Sequence, residues 1–151
     1  MRKILLLGAF LGMCNLCAQE KEVTPQSFSL TKLEGGTFNL NDVLGKKIVV
    51  INFWASWCKT CSEEIPQLVE LQKNTKPEEA VFIGINTGEN DSKAAKFKKR
   101  EGYPYLVLVD KEKTVAKKYN VLGLPQTIII SKDGKKVVFR GSRPPKSLSG
   151  L

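Results

Sequence analysis

Runs of apolar residues along this chain change spacing several times, and each spacing predicts a different element. Ile48-Val49-Val50-Ile51 is a continuous β-branched run, which is typical of a strand covered on both faces of a sheet. We predict that this strand extends over 47–55 and that 80–85 forms a second buried strand. Shorter extended runs are predicted at 27–31, 105–110 and 127–130.

Helical spacing follows the first buried strand. From Cys58 onward, the apolar residues up to Leu71 fall on one side of a helix, and Pro66 within this run predicts a kink. A second helix is predicted at 92–100 and a short one at 114–119.

The order of these elements predicts the fold class. Strand, helix, strand and helix are followed by a hairpin, in which Asp133-Gly134 joins the strand at 127–130 to one at 136–140. Gly35-Gly36 marks an earlier turn, before a short extended run at 37–40. This order is typical of an α/β sandwich built on a mixed sheet of four to six strands.

The N-terminal segment is predicted to be a secretory signal peptide that covers 1–18. Arg2 and Lys3 precede an uncharged, mostly apolar run at 4–13, and Ala18 offers a small residue at the cleavage point. The apolar run is too short to cross a bilayer as a stable helix. We therefore expect the mature protein to be periplasmic or otherwise extracytoplasmic.

Composition and charge fit one ordinary globular domain. The chain has 151 residues, of which 42% are hydrophobic and 26% charged, and we place a single domain at 19–141. The formal net charge is +9. Its densest basic stretch, at 93–100, alternates with apolar residues, as on the solvated side of an amphipathic helix, so nucleic-acid binding is not predicted.

Four cysteines and the absence of histidine narrow the chemistry. Cleavage after Ala18 removes Cys14 and Cys17, so Cys58 and Cys61 become the only thiols of the mature chain. A lipid anchor on Cys14 or Cys17 is the less favoured alternative, because the residues before them are not small. Without histidine the chain has no His-dependent triad and no His ligand for zinc or haem.

Cys58 and Cys61 form a C-x-x-C pair where the central strand is predicted to give way to a helix. The N-terminus of a helix presents unpaired backbone N–H groups and a partial positive charge, and both stabilise a thiolate. We therefore predict that Cys58 attacks a disulfide and that Cys61, one helical turn further on, resolves the mixed disulfide.

Three other interpretations of the pair are less favoured. A zinc site needs two more ligands, and the mature chain has neither a second cysteine pair nor a histidine. A haem attachment motif needs histidine where Ser62 stands. An inert structural pair leaves the flanking aromatic residues and the helix-start position unexplained. We predict redox chemistry without a metal or other cofactor.

The segment at 50–66, VINFWASWCKTCSEEIP, resembles the thioredoxin superfamily, and more closely its exported branch of TlpA- and ResA-like proteins. Further matching pieces lie at 28–30, 36–40 and 123–127, and the likeness runs over 27–141. The resemblance implies a thioredoxin-like three-layer sandwich. It also implies that Pro125 is cis and faces the disulfide, with the backbone of Leu124 beside the cysteines, where it can pair with a substrate chain.

The resemblance also singles out Glu64 as a proton acceptor. Thioredoxins carry a buried Asp where this chain has Asn52, whereas the exported reductases place a Glu in the helix, at the position of Glu64. Cys61 and Glu64 are three residues apart and lie on one helix face. If Glu64 is partly buried, its pKa rises and it can take the proton of Cys61 during resolution. The alternative is a solvated glutamate, as we expect for Glu63.

Residues around the pair are expected to contact the substrate, namely Trp57, Lys59, Thr60 and Leu124. Lys59 and Thr60 fill the two positions between the cysteines, where thioredoxin has Gly-Pro. The charge of Lys59 favours the Cys58 thiolate.

The resemblance implies a reductant in an oxidising compartment. Its substrates are expected to be disulfide-bearing exported proteins such as apocytochromes c. A membrane thiol donor is expected to keep the protein in its reduced form. The protein is predicted to be a monomer. One alternative is a thiol peroxidase on the same fold, which needs a peroxidatic cysteine in its own motif. Another is a non-catalytic binding module, which has no need to retain both cysteines.

The irregular tail at 142–151 departs from the resemblance. Thioredoxin-like domains add a helix after the hairpin that covers one sheet face, whereas this tail holds Pro144-Pro145 and little apolar periodicity. We expect either that this helix is missing or truncated, or that the tail is disordered and a partner covers the sheet.

Overall fold

The computed structural model of the chain describes residues 24–151. The predicted signal peptide at 1–18, with Cys14 and Cys17, lies outside the described residues, so its cleavage and the alternative lipid anchor stay predictions. Within 24–151, no helix has both the length and the apolar content needed to cross a bilayer.

The described residues form one mixed sheet flanked by helices. The strands are β1 (Ser29–Lys32), β2 (Thr37–Asn39), β3 (Ile48–Trp54), β4 (Ala80–Thr87), β5 (Leu106–Asp110), β6 (Gln126–Ile130) and β7 (Val137–Gly141). The helices are α1 (Lys59–Lys73), α2 (Asp91–Glu101) and α3 (Thr114–Lys118), with a 3-10 turn at Leu40–Asp42. The order across the sheet is β2-β1-β5-β4-β3-β6-β7. The α/β class and the mixed sheet are confirmed.

The predicted count of four to six strands is wrong, because the described sheet has seven. The difference arises at the N-terminal hairpin. Strand β1 pairs antiparallel with β2, and its other edge pairs antiparallel with β5, where Thr31 lies opposite Val109. The hairpin therefore extends the sheet at the β5 edge through a pairing between segments far apart in the sequence.

The parallel strands fix the layers. Strands β3, β4 and β5 are neighbours and run parallel, and α1 and α2 make the two connections between them. Because such crossovers are right-handed, two steps in the same direction place both helices on one face of the sheet. Helix α3 packs on the other face, which gives the three layers. Helix α1 continues through Pro66 to Lys73.

Alternation along β3 distributes its side chains between the two cores. Val50 and Trp54 pack in the core under α1 and α2, whereas Val49, Ile51 and Phe53 pack in the core under α3. All five are fully buried, which confirms that this strand is covered on both faces. Asn52, between them, faces the first core as a polar residue with no exposed surface.

The predicted hairpin of β6 and β7 is confirmed. The turn closes with hydrogen bonds from the backbone N–H of Gly134 to Ser131 and from that of Ser131 to Lys136. Gly134 has a φ of 71°, and a Cβ there would lie 2.8 Å from the backbone nitrogen of Gly45. Both the backbone conformation and the close approach require glycine.

The tail at 142–151 contains no helix or strand, so no helix follows β7 within the described residues. The tail nevertheless lies against the sheet, because Pro144 and Leu148 are buried and Leu148 joins the core under α1. This corrects the alternative of a disordered tail with a partner over the sheet: among the described residues, part of the tail itself packs against the core under α1.

Candidate active site

The two cysteines of the C-x-x-C pair lie where β3 leads into α1. Strand β3 ends at Trp54, a three-residue loop follows, and Cys58 is the N-cap of α1. Cys58 and Cys61 are joined by a disulfide with their Cα atoms 5.3 Å apart, and both side chains are buried. Trp57, just before them, is 70% exposed.

The start of α1 stabilises negative charge on Cys58. The backbone N–H of Cys61 donates to Cys58 Sγ over 3.2 Å, and Thr60 Oγ1 lies 3.5 Å from the same sulfur. The first turn of α1 contains no acidic residue. The local donors and the helix dipole therefore both favour a thiolate at this position.

Glu64 is buried one turn beyond Cys61. Its side chain is only 4% exposed, and Oε1 accepts a hydrogen bond from Asn52 Nδ2 over 2.7 Å. Burial raises the pKa of Glu64 to about 7, although the Asn52 hydrogen bond acts in the opposite direction. Its second oxygen, Oε2, has no hydrogen-bond partner among the described residues. Glu63, the neighbour in sequence, is exposed as expected.

Two residues that the sequence did not single out complete the surroundings of Asn52. The amide Nδ2 of Asn52 also donates to Thr127 Oγ1 over 3.2 Å. The hydroxyl of Tyr103 donates to Asn52 Oδ1 over 2.7 Å. Asn52 and Tyr103 are 51 positions apart in the sequence, so no local spacing predicts their hydrogen bond.

A cavity of about 370 Å³ opens between the first half of α1 and the loop that holds Pro125. Four of the predicted site residues line it, and they are Thr60, Glu64, Leu124 and Pro125. The Leu124–Pro125 peptide bond is cis, as the resemblance implied. The remaining lining residues are Glu63, Gln67, Ser142 and Arg143, and the last two belong to the tail. The tail therefore contributes to the site as well as to the core.

The other predicted contact residues lie outside this cavity. Trp57 is exposed, and Lys59 is exposed with its Nζ 3.9 Å from a Glu63 carboxylate oxygen. An ion pair this open to solvent adds little stability. Leu122, in the loop before the cis proline, is 90% exposed and was not predicted.

Glu89 is a further buried carboxylate that the sequence did not single out. It follows β4 and accepts hydrogen bonds from the backbone N–H of Ser56 over 2.7 Å, from Ser56 Oγ over 2.6 Å and from Asn86 Nδ2 over 2.9 Å. Burial raises its pKa, but the hydrogen bonds outweigh burial and hold the pKa below its ordinary value. A signal existed, because β3 and β4 are parallel neighbours whose carboxyl ends meet at one sheet edge.

Metal binding has no support in the side chains that the structure places. Between residues 24 and 151, no group of three or more Cys, Asp and Glu side chains is arranged to hold a metal ion.

The sheet, the cis proline and a disulfide at the start of α1 define the class: a thiol–disulfide oxidoreductase with a thioredoxin-like fold. The chain belongs to the AhpC/TSA family, whose profile matches residues 22–138. It is 37% identical to thiol-disulfide oxidoreductase ResA of Geobacillus kaustophilus over 120 residues, which cover 79% of this chain and 68% of that protein. This places it among ResA-like homologues.

Solved structures agree with this class. A Chlorobium tepidum protein assigned as the thiol:disulfide interchange protein DsbE matches with a TM-score of 0.74 and 26% identity, over 83% of this chain and 88% of that one. A secreted disulfide oxidoreductase of Mycobacterium tuberculosis, homologous to E. coli DsbE, matches with a TM-score of 0.67 and 26% identity, over 81% and 87%.

Proposed function

We propose that this protein reduces disulfides of exported proteins through a mixed disulfide on Cys58 that Cys61 resolves. One observation carries the proposal: Cys58 accepts hydrogen bonds at the N-terminus of α1, while the buried Glu64 lies one turn beyond Cys61. The two cysteines thus have different surroundings, as the two steps of disulfide exchange require.

In the first step, the Cys58 thiolate attacks one sulfur of a substrate disulfide. The substrate S–S bond breaks, a Cys58–substrate disulfide forms, and the other substrate sulfur leaves as a thiolate. The N–H of Cys61, the Thr60 hydroxyl and the helix dipole stabilise the attacking thiolate. Lys59 adds positive charge nearby on the exposed side of the helix.

In the second step, Cys61 gives its proton to Glu64 and attacks Cys58 Sγ. The mixed disulfide breaks, the second substrate sulfur leaves as a thiolate, and Cys58 and Cys61 become a disulfide. Two electrons have then passed to the substrate, and the proton held by Glu64 is available to the leaving thiolate or to water. A carboxyl with a pKa of about 7 is suited to accept and return a proton near neutral pH.

The substrate chain is proposed to lie across the cis proline. The backbone of Leu124 would pair with it as an added strand, and Pro125 and Thr60 would form one wall of the groove. Trp57 would contact the substrate from the exposed side of the cysteine pair.

The partners and location follow from the same proposal. Removal of the predicted signal peptide at 1–18 would leave the protein in an oxidising, extracytoplasmic compartment, as a monomer that acts on disulfide-bearing exported proteins. A membrane thiol donor would reduce the Cys58–Cys61 disulfide after each turnover. The secreted state of the M. tuberculosis relative supports this location.

The experiment that tests the function is a trap for the mixed disulfide. A Cys61→Ser variant retains the attacking thiol but lacks the resolving one, so it should accumulate disulfide-linked partners that reductant releases. A Cys58→Ser variant should capture none, and recovery of equal amounts with both variants would contradict the assigned order. Insulin reduction by the wild type, with no consumption of peroxide, would separate this activity from that of a thiol peroxidase.

A further inference from the structure

A row of four residues crosses the sheet beneath α1. Asn52 in β3 lies opposite Thr127 in β6 on one side and Gly84 in β4 on the other, and Gly84 lies opposite Val107 in β5. Asn52, Thr127 and Val107 are fully buried. Because paired residues of neighbouring strands project to the same face, Gly84 leaves an open space beside Asn52.

The ring of Tyr103 fills that space. A Cβ at Gly84 would lie 2.5 Å from the Tyr103 hydroxyl oxygen, so any other residue there would displace the ring. Trp54 packs against the ring with centroids 4.9 Å apart. Just before Tyr103, the chain turns at Gly102, which has a φ of 66°. The backbone N–H of Tyr103 donates to the backbone oxygen of Lys98. The tyrosine is therefore held from the backbone as well as from its ring.

The hydroxyl of Tyr103 donates to Asn52 Oδ1, and this bond matches the amide orientation in which Nδ2 faces Glu64. A hydroxyl that donates to Oδ1 leaves Nδ2 directed at Glu64 Oε1 and Thr127 Oγ1, over 2.7 Å and 3.2 Å. Without that donor, the buried Oδ1 loses its partner, and a turn of the amide would direct Oδ1 at Glu64 instead.

We propose that Tyr103 is a positioning residue for the redox reaction, which acts through the Asn52 amide to keep a hydrogen-bond donor on the Glu64 carboxylate. The proposal rests on the role given to Glu64 under the proposed function. In this proposal, Tyr103 and Asn52 stabilise the ionised form of the Glu64 carboxylate, which is the form that can accept a proton. An amide N–H favours the carboxylate, whereas an amide oxygen accepts from the protonated carboxyl and favours that form.

Other titratable groups around Glu64 do not substitute for this contact. Tyr103 and Tyr105 face it from the segment before β5, and burial raises the pKa of both hydroxyls well above neutral pH. Glu63 and Arg143 line the cavity on the solvent side. Cys61, on the same helix face, does not titrate in the disulfide form. In that form, Glu64 is the carboxyl whose titration reports the orientation of Asn52.

Tyr105 offers a matched control. It is also buried, and its ring meets that of Tyr103 edge-on with centroids 5.8 Å apart. Its hydroxyl, however, donates to the backbone oxygen of Leu68 over 3.2 Å and does not reach Asn52. Tyr103→Phe and Tyr105→Phe thus remove the same atom from neighbouring buried rings, and only the first change frees the amide.

The test is a titration of Glu64 in the disulfide form, followed by NMR of the ¹³C-labelled glutamate carboxyls and assigned by the resonance that Glu64→Gln removes. We expect the midpoint to rise by about one pH unit in Tyr103→Phe, the size of one charge-assisted hydrogen bond. We expect Tyr105→Phe to stay within about 0.3 pH unit of the wild type, since its hydroxyl donates to the Leu68 backbone oxygen and makes no hydrogen bond to the amide. An unchanged midpoint in folded Tyr103→Phe overturns the proposal.

Two further measurements keep the outcome decisive. Asn52→Ala should raise the Glu64 midpoint as Tyr103→Phe does. The double variant, Asn52→Ala with Tyr103→Phe, should show no larger shift than either single variant, because both substitutions act through one amide. Additive shifts of the midpoint overturn the proposal. If Tyr103→Phe fails to fold, the pH dependence of the Tyr103 ¹³Cζ chemical shift in the wild type is measured instead. It should follow the Glu64 midpoint, and a flat response from about pH 5 to 9 overturns the proposal.

Kinetics separate this inference from the proposed function. If Glu64 accepts the Cys61 proton, Tyr103→Phe should slow resolution about fivefold at pH 7 and leave it within about twofold at pH 9.5, as the ionised fraction dictates. If the Glu64 midpoint shifts while the resolution rate stays constant, the contact of Tyr103 and Asn52 with Glu64 is supported. Glu64 is then not the proton acceptor in resolution.

Discussion

The Glu89 carboxylate, which follows β4, is hydrogen-bonded to Ser56 in the loop before Cys58. It accepts hydrogen bonds from both the backbone N–H and the hydroxyl of Ser56, over 2.7 Å and 2.6 Å. Ser56 lies two residues before Cys58, whose own N–H donates to Ala55. One buried side chain after β4 therefore fixes the backbone that presents Trp57 and Cys58.

Removal of this carboxylate should destabilise the protein. Glu89→Ala leaves the Ser56 N–H and the Asn86 amide without their acceptor in a buried site, so we expect the free energy of unfolding to fall by about 2–3 kcal/mol. Urea denaturation of the disulfide form measures the change. Glu79→Ala, at an exposed position, is the control and should change stability by less than about 0.5 kcal/mol. Equal effects of the two substitutions would show that the Glu89 contacts contribute nothing.

Glu64→Gln should slow the second half of the reaction. Glutamine retains the size of the side chain but cannot take a proton, so we expect resolution by Cys61 to slow by about tenfold or more, in the range of a positioned general base. Attack by Cys58 should remain comparatively intact. Stopped-flow measurement of the formation and decay of the mixed disulfide distinguishes the two steps.

Glu63→Gln is the matched control for this comparison. It lies next to Glu64 in α1 but is exposed, so neither rate should change appreciably. A Glu64→Gln protein with wild-type rates in both steps would remove Glu64 from the mechanism.

The stability of the disulfide form should depend on pH through Glu64. Its pKa is about 7 in the folded protein, because of burial, against an ordinary value of 4.5. Between these values the folded protein binds a proton that the unfolded chain has released. The free energy of unfolding therefore falls as the pH rises from 4.5 to 7, by about 3 kcal/mol in all. Its Glu64 contribution is constant below and above that interval.

The measurement is urea denaturation of the disulfide form at pH 5 and pH 8. Glu64→Gln should lose most of the difference between the two pH values, whereas Glu63→Gln should keep it. A Glu64→Gln protein with the same pH dependence as the wild type would assign the titration to another group.

The tail should contribute to stability through Leu148. Leu148 is 9% exposed and packs in the core under α1, so Leu148→Ala should lower the free energy of unfolding by about 2 kcal/mol. Leu151→Ala, which truncates a leucine that is 41% exposed, should cost less than about 0.5 kcal/mol. Equal thermal midpoints for the wild type and Leu148→Ala would show that the tail does not stabilise the sheet.

Much of the fold was predictable because its signals are local. The β-branched run at 48–51 marked a strand buried on both faces, and Asp133-Gly134 marked the hairpin, since both depend on residues adjacent in sequence. The strand count was wrong because the pairing of β1 with β5 is decided by packing across the domain. The same limit applies to the tail, whose contact through Leu148 has no periodic pattern.

The chemistry of this protein can be inferred from residues that are adjacent in its sequence. A C-x-x-C pair directly after an apolar strand, in a chain without histidine, leaves thiol–disulfide exchange as the favoured reaction, because the reactive groups lie within one helical turn. Tertiary structure alone decided the surroundings of Glu64: Asn52, Tyr103 and Thr127 come from three separate parts of the chain. The pKa of a carboxyl depends on burial and on the atoms around it, and these exist only once the strands and α1 have packed.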